Sequence, residues 1–290
     1  MGIARDFENF VSELQIDDSI NNLISYRAGE ITKKVNKYFW TTTSTESHSL
    51  YAGSYGRKTA IATSDIDMIV ELPWNFYYRF NDYTSNGQSQ LLNLVKECIK
   101  EKYPSTCVKG DGQVVVIDFS DGISFEIVPA FLNEDNSYKH IDTHKGGSWQ
   151  NTNPRAEIDA MNELNKVSNS NLKRLCKMVR AWKVHNNVNI KGILIDTLAY
   201  KFMKTWKYKD KSYLYYDFMS RDFFKFLINE HEKTKLLTPG SGRYIVNDGA
   251  FKIKAKQAYN DSIEAIRLYE EETYEARCKW RNIYGKKFPR

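Results

Sequence analysis

No run of about 18 consecutive apolar residues occurs in the 290-residue chain, which excludes a membrane-spanning helix. The opening MGIARDFENF has no apolar stretch of the kind a secretory leader needs. Gly2 is present, but Asp6 stands where a myristoylation signal wants serine or threonine. No membrane attachment is expected. Cysteine is scarce: Cys98, Cys107, Cys176 and Cys278 are scattered and form no CxxC pair. Their spacing argues against a zinc site or a disulfide framework and for reduced thiols in the cytoplasm. His140, His144 and His185 fall at no metal-ligand spacing, and no Ser-His-Asp order emerges. The GRKT tetrapeptide inside GRKTAIAT lacks the spacing of a phosphate loop. There is no internal repeat and no low-complexity tract.

What is present suits a folded enzyme. The apolar fraction is 41% and the aromatic fraction 14%, enough for a buried core and too much for a disordered chain. The length fits one large domain or two lobes sharing a cleft. A formal net charge of +6 tolerates anionic ligands but does not demand them.

Periodicity organises the chain. Ile20, Ile24, Ile31, Val35 and Phe39 recur at helical steps from about Ser19, with Asp17 or Asp18 as N-cap. HSLYAG reads as a short strand, followed by a glycine-serine turn, a brief helix from Tyr55 to Thr59 and a strand from Asp65 to Leu72. Ser89 to Lys102 reads as a helix. Gln113 to Phe119 and Ile123 to Ala130 are β-rich runs around Asp121-Gly122, a hairpin signal. A polar loop from Asn133 to Asn153 leads to Pro154, which opens a helix. Helices are expected at about 154–167, 170–186, 192–207, 216–231 and 250–281. The reading is an α+β chain: residues 1–150 form a sheet lobe with an N-terminal helix that is able to return to the second lobe, and residues 151–290 form that helical lobe.

The chemistry concentrates in GSYGRKTAIATSDIDMIVEL, Gly53 to Leu72. Gly53 and Ser54 lie between a strand and a helix, where a hydroxyl and the first helical N–H groups cradle phosphate oxygens. Glycine there lets the backbone approach without a Cβ. In a strand, Asp65 and Asp67 point to one side while Ile66 and Met68 face the core. Two such carboxylates repel unless hard divalent cations sit between them. A third should come from a neighbouring strand. Glu126, in ISFEIVPAF, lies where an unpaired charge is costly to bury. Asp118 is its rival. A two-residue turn at Asp121-Gly122 sets Ile117 across from Glu126 and turns Asp118 to the other face, so Glu126 is preferred. Tyr55 is placed to stack on a base. Lys173, Lys177 and Arg180 follow at steps of four and three, one helical face, and Asp196 is the single acid among ten basic residues between 170 and 209. Lys177 or Arg180 is expected to neutralise phosphate charge. Trp182 is out of phase with that face and reads as core.

The GS…SDIDM and FEIVPAF segments resemble the polymerase-beta-like nucleotidyltransferase superfamily. GSWQNTNP, NLKRLCKMVRAWK and KWRNIYGKKFP narrow the likeness to the bacterial relatives of cGAS and DncV, the CD-NTase family of SMODS-type cyclic-oligonucleotide synthases. The resemblance spans about residues 4 to 289. Two departures stand out: the third acid is Glu126 where much of the superfamily has Asp, and Lys58 replaces a glycine common later in the GS turn.

The resemblance implies a sheet lobe and a helical lobe with the active site in the cleft between them. It implies a nucleotidyltransferase holding two Mg²⁺ or Mn²⁺ ions on Asp65, Asp67 and Glu126, with Gly53, Ser54, Tyr55, Lys177 and Arg180 on the nucleotide. Its substrates would be nucleoside triphosphates, ATP, GTP or pyrimidine nucleotides. Its product would be a cyclic di- or trinucleotide that activates a separate effector protein in anti-phage signalling. A cytoplasmic monomer is expected, with regulatory partner proteins possible. The chain has no zinc-ribbon spacing, so sensing of DNA is not expected. Transfer of a nucleotide to RNA, protein or a small molecule would use the same carboxylates. An inactive nucleotide sensor would not need all three.

Overall fold

A computed structural model describes residues 2–62 and 65–290; Met1, Thr63 and Ser64, the last being the serine of SDIDM, lie outside the described residues. The chain divides into two compact units, one of Ile16–Arg57 and Ala62–Ile158, the other of Met1–Gln15, Lys58–Ile61 and Asp159–Arg290.

The first unit is built on a sheet. Its leading helix α2 (Asp18–Phe39) is capped by Asp17, whose carboxylate accepts from the Ser19 N–H at 2.8 Å. There follow β1 (Ser49–Tyr51), α3 (Gly53–Gly56), β2 (Ile66–Glu71), α4 (Trp74–Asn81) and α5 (Gly87–Lys102). Five more strands complete it: β3 (Cys107–Asp111), β4 (Val114–Asp118), β5 (Ser124–Leu132), β6 (Tyr138–Asp142) and β7 (Ser148–Thr152). The order is β1-β2-β5-β4-β3, with β6 also pairing with β5 and β7 with β6. Among the described strands of this sheet, β2 and β5 alone run parallel.

The period of two settles the faces. Ile66, Met68 and Val70 of β2, Phe125 and Ile127 of β5, and Val115 and Ile117 of β4 are buried in one core with Ile24, Ile31 and Val35 of α2 and Leu91, Val95 and Ile99 of α5. The opposite face carries Asp67, Ile69 and Glu71 beside Glu126, Val128 and Ala130. The stretch from Asn133 to Asn153, expected as loop, contains the β6–β7 hairpin. Its strands are five residues long and mostly polar, so their alternation is faint.

The second unit is helical. Its α1 (Ile3–Glu13) buries Phe7, Phe10 and Val11, and its C-cap Leu14 continues them as the i, i+3, i+4, i+7 stripe of an amphipathic helix. Phe7 meets Trp280 edge-on at 5.0 Å between centroids and Phe288 at 5.2 Å. That apolar stripe is why the N-terminal residues group with this unit rather than with the sheet, in contrast to a division at residue 150. The other elements are α6 (Pro154–Val167), which the unit boundary divides, α7 (Asn171–His185), α8 (Gly192–Thr205), α9 (Tyr216–Asn229), a hairpin of β8 (Thr234–Leu237) and β9 (Tyr244–Asn247), α10 (Lys252–Leu268) and α11 (Thr273–Tyr284). Trp182 is fully buried in the core of this unit.

The helix expected over 250–281 is therefore two. Glu270, Glu271 and Glu272 crowd the negative end of α10, where carboxylates oppose the helix dipole. The break also lets two side chains share one acid. Tyr269 donates to Asp6 at 3.0 Å, and Arg277 forks onto the same carboxylate at 2.7 and 2.9 Å.

Candidate active site

The parallel pairing of β2 with β5 sets Asp67 directly abreast of Glu126. Adjacent strands lie about 4.8 Å apart, so the two side chains leave the same sheet face as close neighbours. Asp65, an exposed residue, comes immediately before β2. Burial raises the pKa of Asp67 first; Arg57 opposes that shift and Asp65 adds to it. Burial likewise pushes Glu126 up, followed by the charges of Asp67 and Asp65. Asp67 and Glu126 thus each resist ionising beside their acidic neighbours, an electrostatic deficit that a cation relieves.

Among the described residues, no three acidic, histidine or cysteine side chains close into a ready-made ion cage. Asp65, Asp67 and Glu126, expected to converge on the ions, do not form such a group as they stand. The all-oxygen donor set and the mutual repulsion fit a hard divalent ion.

The hairpin register differs from the expected one. Gly122 N–H donates to Phe119 C=O at 3.1 Å and Phe119 N–H to Ile123 C=O at 3.0 Å, leaving Ser120, Asp121 and Gly122 as the loop. Gly122 is left-handed, with φ 86°, the three-residue hairpin with a glycine at its αL position. The extra loop residue moves every partner by one. Val116, not Ile117, faces Glu126, and Asp118 faces Ser124. Asp118 therefore shares the sheet face of Glu126, contrary to the parity expected from a two-residue turn. Other contacts occupy it: it accepts from Ser124 Oγ at 2.8 Å and lies 3.2 Å from Lys109 Nζ. Those two bonds hold its pKa below the ordinary carboxylate range.

The glycine-serine turn is pressed against this face. The Ala52 N–H donates to the Asp67 carbonyl at 2.9 Å, and α3 starts at Gly53, two residues earlier than the expected helix of Tyr55 to Thr59. Gly53 has φ 54°, and a Cβ there would overlap the Asp67 carboxylate. Both the backbone angle and the contact demand glycine. Gly53→Ala is expected to lower turnover by about 100-fold by displacing Asp67; steady-state rates beside a circular-dichroism check of folding would measure it.

Ser54 is half-buried in the first turn of α3. Tyr55 is committed locally rather than splayed for stacking: its hydroxyl donates to Asn21 at 3.1 Å and its ring meets Tyr51 edge-on at 4.9 Å. Arg57 went unnoticed in the sequence. It is buried, pairs with Glu157 at 2.8 Å and puts its positive charge near Asp67. Its only signal was the place directly after the GSYG turn, since its partner lies 100 positions away.

In the helical unit the two expected phosphate ligands part company. Arg180 is 7% exposed. It forks onto Asp196 with Nη1 at 2.6 Å and Nη2 at 2.9 Å, so its charge is matched internally rather than left open for the phosphate expected of it. Lys177 has no carboxylate within ion-pair distance among the described residues and bonds instead to the Gln15 amide oxygen. Burial first, then Lys173 and Arg180, lower its pKa to about 8.

Comparison with known proteins follows the same lines. The family model of the Second Messenger Oligonucleotide or Dinucleotide Synthetase domain matches residues 1–165. A cyclic AMP-AMP-AMP synthase of Acinetobacter is 24% identical over 258 residues, covering 84% of this chain and 73% of the relative. A probable cyclic nucleotide synthase of Bacillus cereus is 24% identical over 180 residues, covering 57% of this chain and about half, 51%, of the relative. Among solved structures, Escherichia coli CdnC in complex with HORMA-deltaN superposes with a TM-score of 0.74 over 99% of this chain and 98% of that one, at 14% identity. That likeness establishes the mixed α/β fold. No helix among the described residues is long and apolar enough to cross a membrane.

Proposed function

Because the chain belongs to the second messenger oligonucleotide or dinucleotide synthetase family, we propose that it joins nucleoside triphosphates into a cyclic oligonucleotide and releases pyrophosphate. The observation that carries this reading is Asp67 abreast of Glu126 with Gly53 pressed against the Asp67 carboxylate. A transferase needs acids gathered beside a turn that admits phosphate, and few purely structural demands would gather them.

Asp65, Asp67 and Glu126 would hold two Mg²⁺ or Mn²⁺ ions, which when bound acidify the attacking ribose hydroxyl and offset phosphate charge. Glu126 orients that hydroxyl and accepts its proton. Ser54 and the first N–H groups of α3 receive phosphate oxygens. Lys177 is the cation assigned to the triphosphate, and Arg57 steadies the charge on Asp67. Repetition and ring closure then give a diffusible signal for a separate effector protein, in the defence setting that the family suggests. By analogy with the complex of CdnC and HORMA-deltaN, the proposal includes a regulatory protein partner and a cytoplasmic setting.

Incubation with labelled nucleoside triphosphates and Mg²⁺ or Mn²⁺, then phosphatase, tests it. A phosphatase-resistant product identified by mass spectrometry supports cyclisation, whereas label carried on protein or RNA would replace this reading with a transferase. Glu126→Ala should reduce synthesis by at least about 100-fold, and Asp118→Ala should leave it near wild type, since Lys109 and Ser124 occupy that carboxylate. The reverse order would mean that Asp118 is the third acid.

A further inference from the structure

Lys58 sits at φ 58°, a left-handed conformation in which the Cβ of an L-residue crowds its own backbone and which glycine adopts freely. Lys145 and Lys233 share that conformation on other loops, so conformation alone carries nothing. At Lys58 it coincides with two further features.

The first is an anchor. Thr59, fully buried, donates from Oγ1 to Asp196 Oδ2 at 3.1 Å, and Asp196 is itself gripped by Arg180. Ala60 is buried and Ile61 packs on the helical core. The segment Lys58–Ile61 is thus fastened to α7 and α8, while the Lys58 side chain stays exposed.

The second is the company it keeps. Lys58 repels Lys173 strongly enough, after burial, to lower its pKa, and Lys173 does the same to Lys177. Lys173 bonds to the Asn162 amide oxygen and Lys177 to that of Gln15. Among the described residues, no carboxylate lies within ion-pair distance of any of the three lysines. A strained lysine fixed beside two half-buried ammonium groups raises the energy of the free protein, and a polyanion would relieve it.

We propose that Lys58 is held left-handed so that its ammonium completes, with Lys173 and Lys177, a polyphosphate-binding cluster on the helical unit. It favours a nucleotide's triphosphate over a monophosphate. The proposal rests on the reading of the chain as a consumer of nucleoside triphosphates and names a binding residue where that reading had Lys177 alone.

The probe is inorganic tripolyphosphate, titrated calorimetrically into the full chain in chelator at two salt concentrations. Lys58→Gly suits the backbone angle, so it isolates the charge from the fold. It should weaken tripolyphosphate binding by about tenfold and reduce the salt dependence, with the melting temperature unchanged or higher. Lys58→Arg should bind within a few-fold of wild type. Equal binding by wild type and Lys58→Gly, or no binding by wild type, would overturn the cluster. The Asp65→Ala, Asp67→Ala double variant separates this from the underlying reading. It should bind tripolyphosphate normally and make no product. If it still makes product, the catalytic assignment fails while the calorimetric result on Lys58 stands.

Discussion

Replacing Asp65 and Asp67 together by alanine lowers cyclic-oligonucleotide synthesis by at least about 1,000-fold while the protein stays folded and, at neutral pH without metal, melts at a higher temperature than wild type. The two halves of that result have one cause. Asp67 is half-buried on a sheet face beside Glu126 and Asp65, so its carboxyl ionises less readily in the folded chain than in the unfolded one. A carboxyl whose folded pKa is raised subtracts stability as pH climbs from its unfolded value through its folded value, and subtracts nothing below both. Removing it should return about 0.5–2 kcal/mol at neutral pH, read as a few degrees in the melting temperature. The gain should vanish as pH falls below the ordinary carboxylate range. Melting curves of wild type and double variant across pH, beside product analysis, measure both. Retained synthesis would remove the proposed site. A double variant that melts lower at neutral pH would mean that the acids serve the fold.

The second large effect is structural. Arg180→Ala should cost about 3–5 kcal/mol of stability, the usual consequence of taking away one member of a buried ion pair, or roughly 10 °C in melting temperature. Asp196 is fully buried, and Arg180 supplies two bonds to it. Lys177→Met, three residues earlier on the same helix, should leave the melting temperature unchanged or raise it, because burial and like charges already disfavour its ammonium. Its loss should appear as weaker nucleotide binding. Differential scanning calorimetry of the two variants separates these roles, and an Arg180→Ala protein as stable as wild type would refute the structural one.

The basic face shows how far the sequence could be read. Helical spacing put Lys173, Lys177 and Arg180 on one face, which holds, and singled out Asp196 as the lone acid among ten basic residues. It could not pair Asp196 with Arg180, because the turn between α7 and α8 decides which side chains of the two helices meet. Glu126 illustrates the same limit differently. Its preference over Asp118 rested on an Asp-Gly turn of two residues, but the loop has three, and Asp118 lies on the same face after all. What singles out Glu126 is the parallel pairing of β2 with β5, between segments some 60 residues apart, and that pairing left no trace in the local pattern.

The sequence by itself determined the elements and their chemistry: helical stripes, strand alternation, Pro154 opening α6, glycine at position 53 and three acids in β-rich segments. Those follow from interactions within a few residues, where backbone geometry imposes periods of 3.6 and 2. Only the tertiary structure decided which acids stand abreast, that Arg57 and Arg180 are held by Glu157 and Asp196, and that Met1–Gln15 groups with the helical unit. Each depends on packing or pairing between distant segments, where hydrophobic burial is strong but non-directional. Sequence patterns state that a face must be covered; the folded chain alone settles by what.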